Sequence, residues 1–330
     1  LHMKHLTMLA IFALSFIAHA TPAEKELTLV RIGWQVPWAT QGQLVQIWKH
    51  TEILQKNGLK AEFIGKLYGP VLNEAALAGA LDVLLTADQP AAALFAKDKG
   101  WVGIGRLMYN RTSTYVPPRS SIQNMRDLRG KTIGVPMGAA AERVTAAGLK
   151  RNGIDPQKDA KMINLDIREQ GALVKGGTDA TTWGQFDALS GFDPMPAIFE
   201  AKGWVRILDI GAVCSLVVMN EAYLNKHDKV ATRLMQALVD AYDYYRQNRE
   251  QANAWFLEEA HLDDADQKAC TIAASLEPNL KVKSRAEIRV SFTEDDFKIL
   301  QTAADFLEPK LKKHIDMRTF VTNKHVSELR

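Results

Sequence analysis

The sequence predicts an α/β protein. Three observations carry that expectation. Strand-like and helix-like segments alternate from residue 27 onward. Cap and stop residues sit at the ends of the helical segments. At 330 residues, with 47% hydrophobic and 24% charged side chains, the chain is long enough to build two ordinary cores.

The elements follow in order. Leu27–Gly33 alternates apolar and polar residues and reads as a first strand. Thr40 as N-cap with Gln43 three positions on reads as a capping box. Leu44, Ile47, Trp48 and Leu54 then recur at helical spacing until Asn57-Gly58 stops the helix. Lys60–Ile64 is a second short strand, Asn73–Gly79 a helix and Asp82–Leu85 a third strand. Asp88-Gln89-Pro90 opens another helix, with proline early, where its missing N–H is harmless. Trp101–Met108 is strand-like, and Tyr115-Val116-Pro117-Pro118 has the character of a connector. Within Ser121–Pro136 a short helix runs into a strand and a turn. Ala139–Lys150 follows as a helix closed by Asn152-Gly153. Lys161–Leu165, Asp187–Ser190, Trp204–Ile210 and Val213–Met219 are further strands. From Asn225 the pattern is helical, with Val230, Leu234, Leu238, Ala241 and Tyr245 forming one apolar stripe.

The first twenty residues have their own logic. Leu1-His2 reads as a cloning scar before Met3. Lys4-His5 forms a short basic region, the run from Leu6 to Ile17 is apolar, and Ala18-His19-Ala20 is an A-x-A cleavage site. The apolar run is too short for a comfortable span, so a cleaved signal peptide and a periplasmic location are expected. A formal charge of +3 without basic-aromatic runs argues against nucleic-acid binding. The two cysteines, Cys214 and Cys270, could pair in an oxidising compartment but need not; Cys214 lies in an apolar run and reads better as a buried free thiol. No CxxC, HExxH or clustered His/Asp/Glu pattern supports a metal, and no cofactor is expected.

The stretch Asp127–Pro136, DLRGKTIGVP, closely resembles an element of bacterial solute-binding proteins. It is similar to the NMT1-like branch, which serves importers of nitrate, taurine, alkanesulfonates and thiamine-pyrimidine precursors. Four further elements match in order: Arg31–Gln41, Gly79–Leu85, Phe186-Asp187-Ala188 with Asp193-Pro194, and Val217–Lys229. The resemblance implies a type II periplasmic binding protein fold of two doubly wound lobes, two crossover strands and an interlobe ligand cleft. On that footing residues 27–115 open lobe one, 116–212 form lobe two, and 213–330 supply a crossover and the C-terminal helices of lobe one. It also implies a small-molecule ligand, an ABC permease and ATPase as partners, and a monomer.

Candidate ligand-binding residues lie in loops after strands, where such sheets bind ligands. Trp34, Gln35, Trp38, Thr40 and Gln41 form an aromatic-polar loop after the first strand. The alternative is that both tryptophans are packing residues and Thr40 merely caps. Asp88 and Gln89 follow the third strand. Asp88 is either a contact for an amine or hydroxyl, or a plain N-cap accepting two backbone N–H groups. Gly138, Ala139, Ala140 and Glu142 begin the helix after DLRGKTIGVP. Relatives bind anions there, but this chain offers no hydroxyls and adds an acid. Arg143 could compensate, though it reads better as a solvated helix residue. Phe192 and Asp193 follow a further strand near Trp183, with Asp193-Pro194 expected as N-cap and first helical residue. Cys214 and Ser215 lie near the second crossover. Aromatics with acids and no evident Arg or Lys clamp point to a neutral or amine-bearing organic ligand rather than nitrate.

Three functions compete. The first is a binding module delivering ligand to an importer, the second a periplasmic sensor feeding a receptor kinase. The third is an enzyme like the thiamine-pyrimidine synthase of the same fold, whose cysteine-rich segment this chain lacks. No GxSxG or Cys–His arrangement suggests hydrolysis, so no catalytic residue is expected.

Overall fold

Two unusually long strands organise the molecule. The computed structural model describes residues 26–330 apart from 228, 263, 264, 328 and 330, so the signal peptide expected at 1–20 lies outside the described residues. Among the described residues no helix is long and apolar enough to cross a membrane. The strands are β1 (Thr28–Gln35), β2 (Leu59–Lys66), β3 (Val83–Thr86), β4 (Trp101–Val116), β5 (Thr132–Val135), β6 (Lys161–Asn164), β7 (Ala188–Phe192) and β8 (Arg206–Asn220). The helices used below are α1 (Gln41–His50), α2 (Ile53–Lys56), α3 (Gly69–Leu77), α4 (Asp88–Lys97), α5 (Ala140–Arg151), α6 (Ile167–Gly176), α7 (Met195–Lys202), α8 (Glu221–Lys226), α9 (Val230–Gln247), α10 (Arg249–Glu259), α11 (Gln267–Ala273) and α12 (Glu294–Leu311).

All eight strands join one sheet in the order β2-β1-β3-β8-β4-β7-β5-β6. The central strands β4 and β8, of 16 and 15 residues, pair antiparallel from Trp101↔Asn220 to Val116↔Arg206. At about 3.4 Å per residue that ladder is about 50 Å long. One end of it carries β3, β1 and β2; the other carries β7, β5 and β6. Each flank is internally parallel. Crossing helices therefore cover both faces, as parallel strands require.

The core follows this division. On the first flank, one apolar layer joins β1 and β3 to α1 and α9, and the other joins β3 and β8 to α4 and α12. The stripe of α9 is buried throughout, and Trp48 Nε1 donates to Ala237 O at 3.0 Å, tying α1 to α9. On the second flank, Tyr115, Trp183, Leu189 and Phe199 fill one layer and Val135, Ala141, Leu149 and Ile154 the other.

Several sequence expectations change here. Trp204–Ile210 and Val213–Met219 are one strand, because Gly211 and Ala212 stay extended opposite Thr112 and Arg111. The strand beginning at Trp101 continues through Tyr115-Val116 rather than ending at Met108. Its polar run, Asn110–Thr114, conceals that continuation: these side chains are buried, not solvated. Thr40 does precede α1, but makes no side-chain cap. The capping box fails because Gln43 Nε2 is drawn instead to Asn253 Oδ1 of α10, 3.1 Å away.

One buried ion pair fixes the C-terminal segment to β4. Arg106 meets Glu277 through Nη1–Oε2 at 2.8 Å and Nη2–Oε1 at 3.1 Å, both side chains fully buried. The same carboxylate accepts the N–H groups of Tyr109 and Asn279. Removing one partner strands the other charge in a dry site. Arg106→Met should therefore lower stability by about 3–5 kcal/mol in urea denaturation. Arg106→Met combined with Glu277→Gln should recover more than half of that loss.

Candidate functional site

The carboxyl ends of β1 and β3 on one flank face the N-terminus of α5 and the end of β7 on the other. Side-chain contacts across the gap define the site. Trp38, in the loop after β1, meets Phe192 at the end of β7 edge-on, with ring centroids 5.7 Å apart. Both belong to one apolar cluster with Ala139, Ala140 and Val144. A Cβ built on Gly138 would lie 3.3 Å from Pro70 of α3, and Gly138 holds φ at +82°, so the two flanks approach closely there.

The β1 loop is rigidly built. Gln41 Oε1 accepts Gln35 N–H at 2.6 Å, and Gln41 Nε2 donates to Leu85 O at 3.2 Å, so Gln41 braces β1 against β3. Thr40 is buried beside it. Trp34 has a different part. Its ring lies under the Lys49 ammonium, 5.4 Å from the centroid, beside Gly65, and it serves as packing against β2 and α1.

Asp88 is the most heavily engaged of the expected residues. Ala87 takes the cap position, and Asp88 is the first residue of α4. Its Oδ1 accepts Gln89 N–H at 2.7 Å. Its Oδ2 accepts Cys214 N–H at 3.2 Å and Arg143 Nη2 at 2.6 Å. Two backbone donors were expected, but one of them comes from β8 rather than from the helix. Burial pushes the Asp88 carboxyl above its usual range, and the Arg143 guanidinium opposes that.

Arg143 is thus not a solvated helix residue. It is buried, joined to Asp88 and donating through Nη1 to Thr302 Oγ1 of α12 at 3.1 Å. Glu142 likewise does not present a bare charge. It forms an ion pair with Lys310 of α12, and its Oε2 accepts Gly138 N–H at 2.9 Å. Ala139 occupies the cap position without a side-chain bond, and the N–H groups of Ala140 and Ala141 have no intrahelical partner. The expected amine-bearing ligand loses its basis here, because both acids are already matched by cations and an arginine does stand in the site.

Asp193 lies one residue further from its helix than expected. Pro194 holds the cap position of α7, and Asp193 Oδ1 reaches Ala197 N–H at 2.9 Å. Its Oδ2 takes Arg111 Nε of β4 at 2.7 Å, and Arg111 Nη1 continues to Glu200 at 2.7 Å. Burial raises the Asp193 carboxyl, again against an arginine. Ser215 hydrogen-bonds Asn110, whose amide donates to Ala39 O at 3.2 Å, linking both central strands to the β1 loop. Cys214 and Cys270 are free and buried. Burial lifts the Cys214 thiol well above its ordinary range, which disfavours the reactive thiolate. Trp183 packs edge-on against Tyr115, 6.0 Å away, in the second-flank core and takes no part in the site.

Sequence reading missed Arg111 and Asn110, which lie inside the polar run of β4, and the burial of Arg143. Asp88 and Arg143 are 55 positions apart, so no local pattern relates them.

A set of polar atoms remains. Gln35 Nε2, Trp38 Nε1, Thr86 Oγ1, Gln89 Nε2 and Oε1, and Arg143 Nε are buried and have no hydrogen-bond partner. Each such group destabilises a fold by roughly 1–3 kcal/mol, and native interiors hold few of them. Trp38 Nε1 and Arg143 Nε can only donate. These residues come from the same strand ends and helix starts as the contacts described above; further buried atoms without a partner lie elsewhere, on Asn73, Arg106, Trp183 and the polar run of β4 among others. Among the described residues, no group of His, Cys, Asp and Glu side chains is arranged to hold a metal ion.

The model of the NMT1/THI5-like family matches residues 54–252. The alkanesulfonate-binding protein SsuA from Xanthomonas axonopodis pv. citri, solved bound to MOPS, superposes with a TM-score of 0.72 at 19% identity. The match covers 90% of this chain and 99% of that one. The periplasmic aliphatic sulphonate binding protein SsuA from Escherichia coli gives 0.72 at 20% identity, covering 89% and 92%. A cysteine-to-serine mutant of the desulfurization enzyme DSZB, in complex with biphenyl-2-sulfinic acid, gives 0.67 at 14% identity, covering 91% and 98%. At these identities the likeness establishes the fold, which is that of the periplasmic binding proteins. No curated protein matches the sequence.

The Asp88–Arg143 pair joins the two flanks in a dry setting, so its partners should be strongly coupled. Asp88→Asn and Arg143→Met should each destabilise by about 3–5 kcal/mol. The double variant should cost less than their sum by about 1–3 kcal/mol in a denaturation cycle. Strict additivity would show that the pair does not act as a unit.

Proposed function

This chain belongs to the NMT1/THI5-like family, and from that premise we propose that it is the extracytoplasmic substrate-binding component of an ABC importer. It captures a small organic molecule, aromatic, heterocyclic or sulfonate-like, between two lobes. It then hands that molecule to a membrane permease driven by its ATPase. In this reading the chain acts in the periplasm as a monomer after signal-peptide cleavage, without cofactor or catalysis. The lobes are the segments 27–115 with 213–330, and 116–212.

The observation that carries the proposal is the set of buried, unpartnered polar atoms on Gln35, Trp38, Thr86, Gln89 and Arg143. Such groups are tolerated where a bound molecule completes their hydrogen bonds. They sit outside the carboxyl ends of the parallel strands, at the point where α/β sheets take ligands. The donors outnumber the acceptors, which favours a ligand whose polar end is rich in acceptor oxygens. Trp38 and Phe192 supply apolar faces for its body. Gly138, Ala139 and Ala140 contribute a helix start from the second flank, whose backbone N–H groups favour the same kind of polar end. Trp34, Asp88, Asp193 and Cys214 take supporting parts: they pack, pair or hold the residues that meet the ligand.

Non-catalysis rests on the state of the chemical groups. The buried carboxylates are paired to arginine, and the Cys214 thiol is buried, which pushes its ionisation up. DSZB shares the fold and is an enzyme, so the distinction lies in the site and not in the architecture.

Calorimetry against taurine, alkanesulfonates, aromatic carboxylates and pyrimidines should find one-to-one binding of one class. Trp38→Ala and Gln89→Ala should each weaken it about tenfold or more, which is about 1.4 kcal/mol. Scattering should show a smaller radius of gyration with saturating ligand, and mass spectrometry should recover the ligand unaltered. Turnover that is lost in Gln89→Ala would overturn the reading.

A further inference from the structure

Helix α12 belongs to the first flank by its packing, yet reaches the second through polar side chains. Leu300, Ala304 and Leu307 are buried in the apolar layer of β3, β8 and α4. Its first turn is pinned to the crossing, where Asp296 accepts the Tyr109 hydroxyl and takes Arg289 Nη1 at 2.6 Å. Another side of the helix faces α5, and there the packing is open. A groove of about 850 Å³ runs along this seam, with Ala146, Lys150 and Ile154 on one bank and Phe306 and Pro309 on the other.

Two polar contacts bridge the seam at the start of α5. Lys310 pairs with Glu142, and Thr302 Oγ1 accepts from Arg143 Nη1 at 3.1 Å. The Lys310 side chain is 47% exposed and that of Glu142 5%. Water therefore reaches the ammonium, and dissolved salt screens the pair. The Asp88–Arg143 pair differs: its side chains are 0% and 8% exposed, so it is dry. The Lys310 ammonium also lies 4.7 Å from the ring centre of Phe306, one turn back on α12. It keeps that favourable contact when it leaves Glu142. Glu142 in turn accepts Gly138 N–H at 2.9 Å, so the pair also fixes the turn that begins α5.

We propose that Glu142 and Lys310 form a water-accessible latch that sets how often the two lobes stand closed before any ligand arrives. Closing brings α5 against α12 and makes the pair; opening hydrates both charges. An ion pair with one exposed partner is weak, so it biases the balance without locking it. The latch rests on the two-lobe reading above and regulates capture through the position of the lobes. A molecule held between them needs the closed form, so its apparent Kd rises as the closed fraction falls. Salt thereby weakens capture even of an uncharged molecule.

The test uses the mature full-length protein without ligand, so its outcome is separate from whether a ligand is found. Spin labels go on two exposed positions, Glu74→Cys on α3 and Lys158→Cys between α5 and β6, the native thiols being buried. Pulsed electron paramagnetic resonance should show a short and a long distance population, the short one larger at about 0.05 M sodium chloride. Raising the salt to about 1 M should enlarge the long population several-fold. Lys310→Met should do the same at low salt and then respond to salt no further. Lys310→Arg should behave as the parent protein. Lys310→Met combined with Glu142→Gln leaves no buried charge behind and should open as far as Lys310→Met alone. Thermal melting should confirm that each variant folds. A long population that Lys310→Met leaves unchanged, or that still grows with salt in that variant, would overturn the latch. Recovery of the closed population in the double variant would do so too, because it would trace the opening to the stranded carboxylate and not to the lost pair.

Discussion

Everything in this molecule hangs on the antiparallel crossing of β4 and β8. Each strand runs the length of the sheet, so neither flank is an independent unit of hydrogen bonding. The ladder shifts register between Gly103 and Gly105, between Arg106 and Met108, and between Thr114 and Tyr115. Such irregularities bend and twist a strand pair locally. Two of them bracket Arg106, whose pairing with Glu277 ties the segment before α12 back to the crossing. A further arginine, Arg111, reaches from the middle of β4 to Asp193 and Glu200. Charged side chains thus stand where an uninterrupted hydrophobic strand would otherwise be expected.

The crossing also explains why the site is where it is. The parallel strands of the two flanks are directed so that their carboxyl ends converge. The loops after β1, β3, β5 and β7 therefore meet across a narrow gap. Helix α5 is clamped in this meeting from two sides, by Asp88 of α4 and by Lys310 and Thr302 of α12. The clamp consists of consecutive residues of opposite charge, Glu142 and Arg143, each finding its complement on the other flank. Buried ion pairs add little net stability but penalise any arrangement that separates them. Here they specify how the two flanks seat, while the apolar contact of Trp38 with Phe192 supplies the attraction.

This arrangement leaves a surplus of donors inside. The interior surplus consists of amide, indole and guanidine N–H groups with no partner. It is a property of residue choice on a fold that hosts binding proteins and an enzyme alike. The chemistry of this chain is accordingly argued from Gln35, Trp38, Gln89 and Arg143 and not from its architecture.

The sequence by itself determined the local and the periodic. The α/β alternation, the apolar stripe of α9, the stop at Asn57-Gly58 and the strand–turn–helix around DLRGKTIGVP all follow from side-chain period and backbone preference within about ten residues. The family was legible for the same reason, since its motifs are short and ordered. Only the tertiary structure decided what the polar residues do. Asn110–Thr114 looks like a break in a strand until β8 and α7 arrive to bury it. Thr40 and Gln43 look like a capping box until Asn253, some 210 positions away, claims the glutamine. Trp34 and Trp38 are alike in sequence, yet one lies under Lys49 and the other faces Phe192. Arg143 looks solvated until Asp88 is set opposite it. A polar side chain's role depends on the partner that satisfies it, and these partners are distant in the chain. Hydrophobic periodicity needs no named partner, which is why it could be read first.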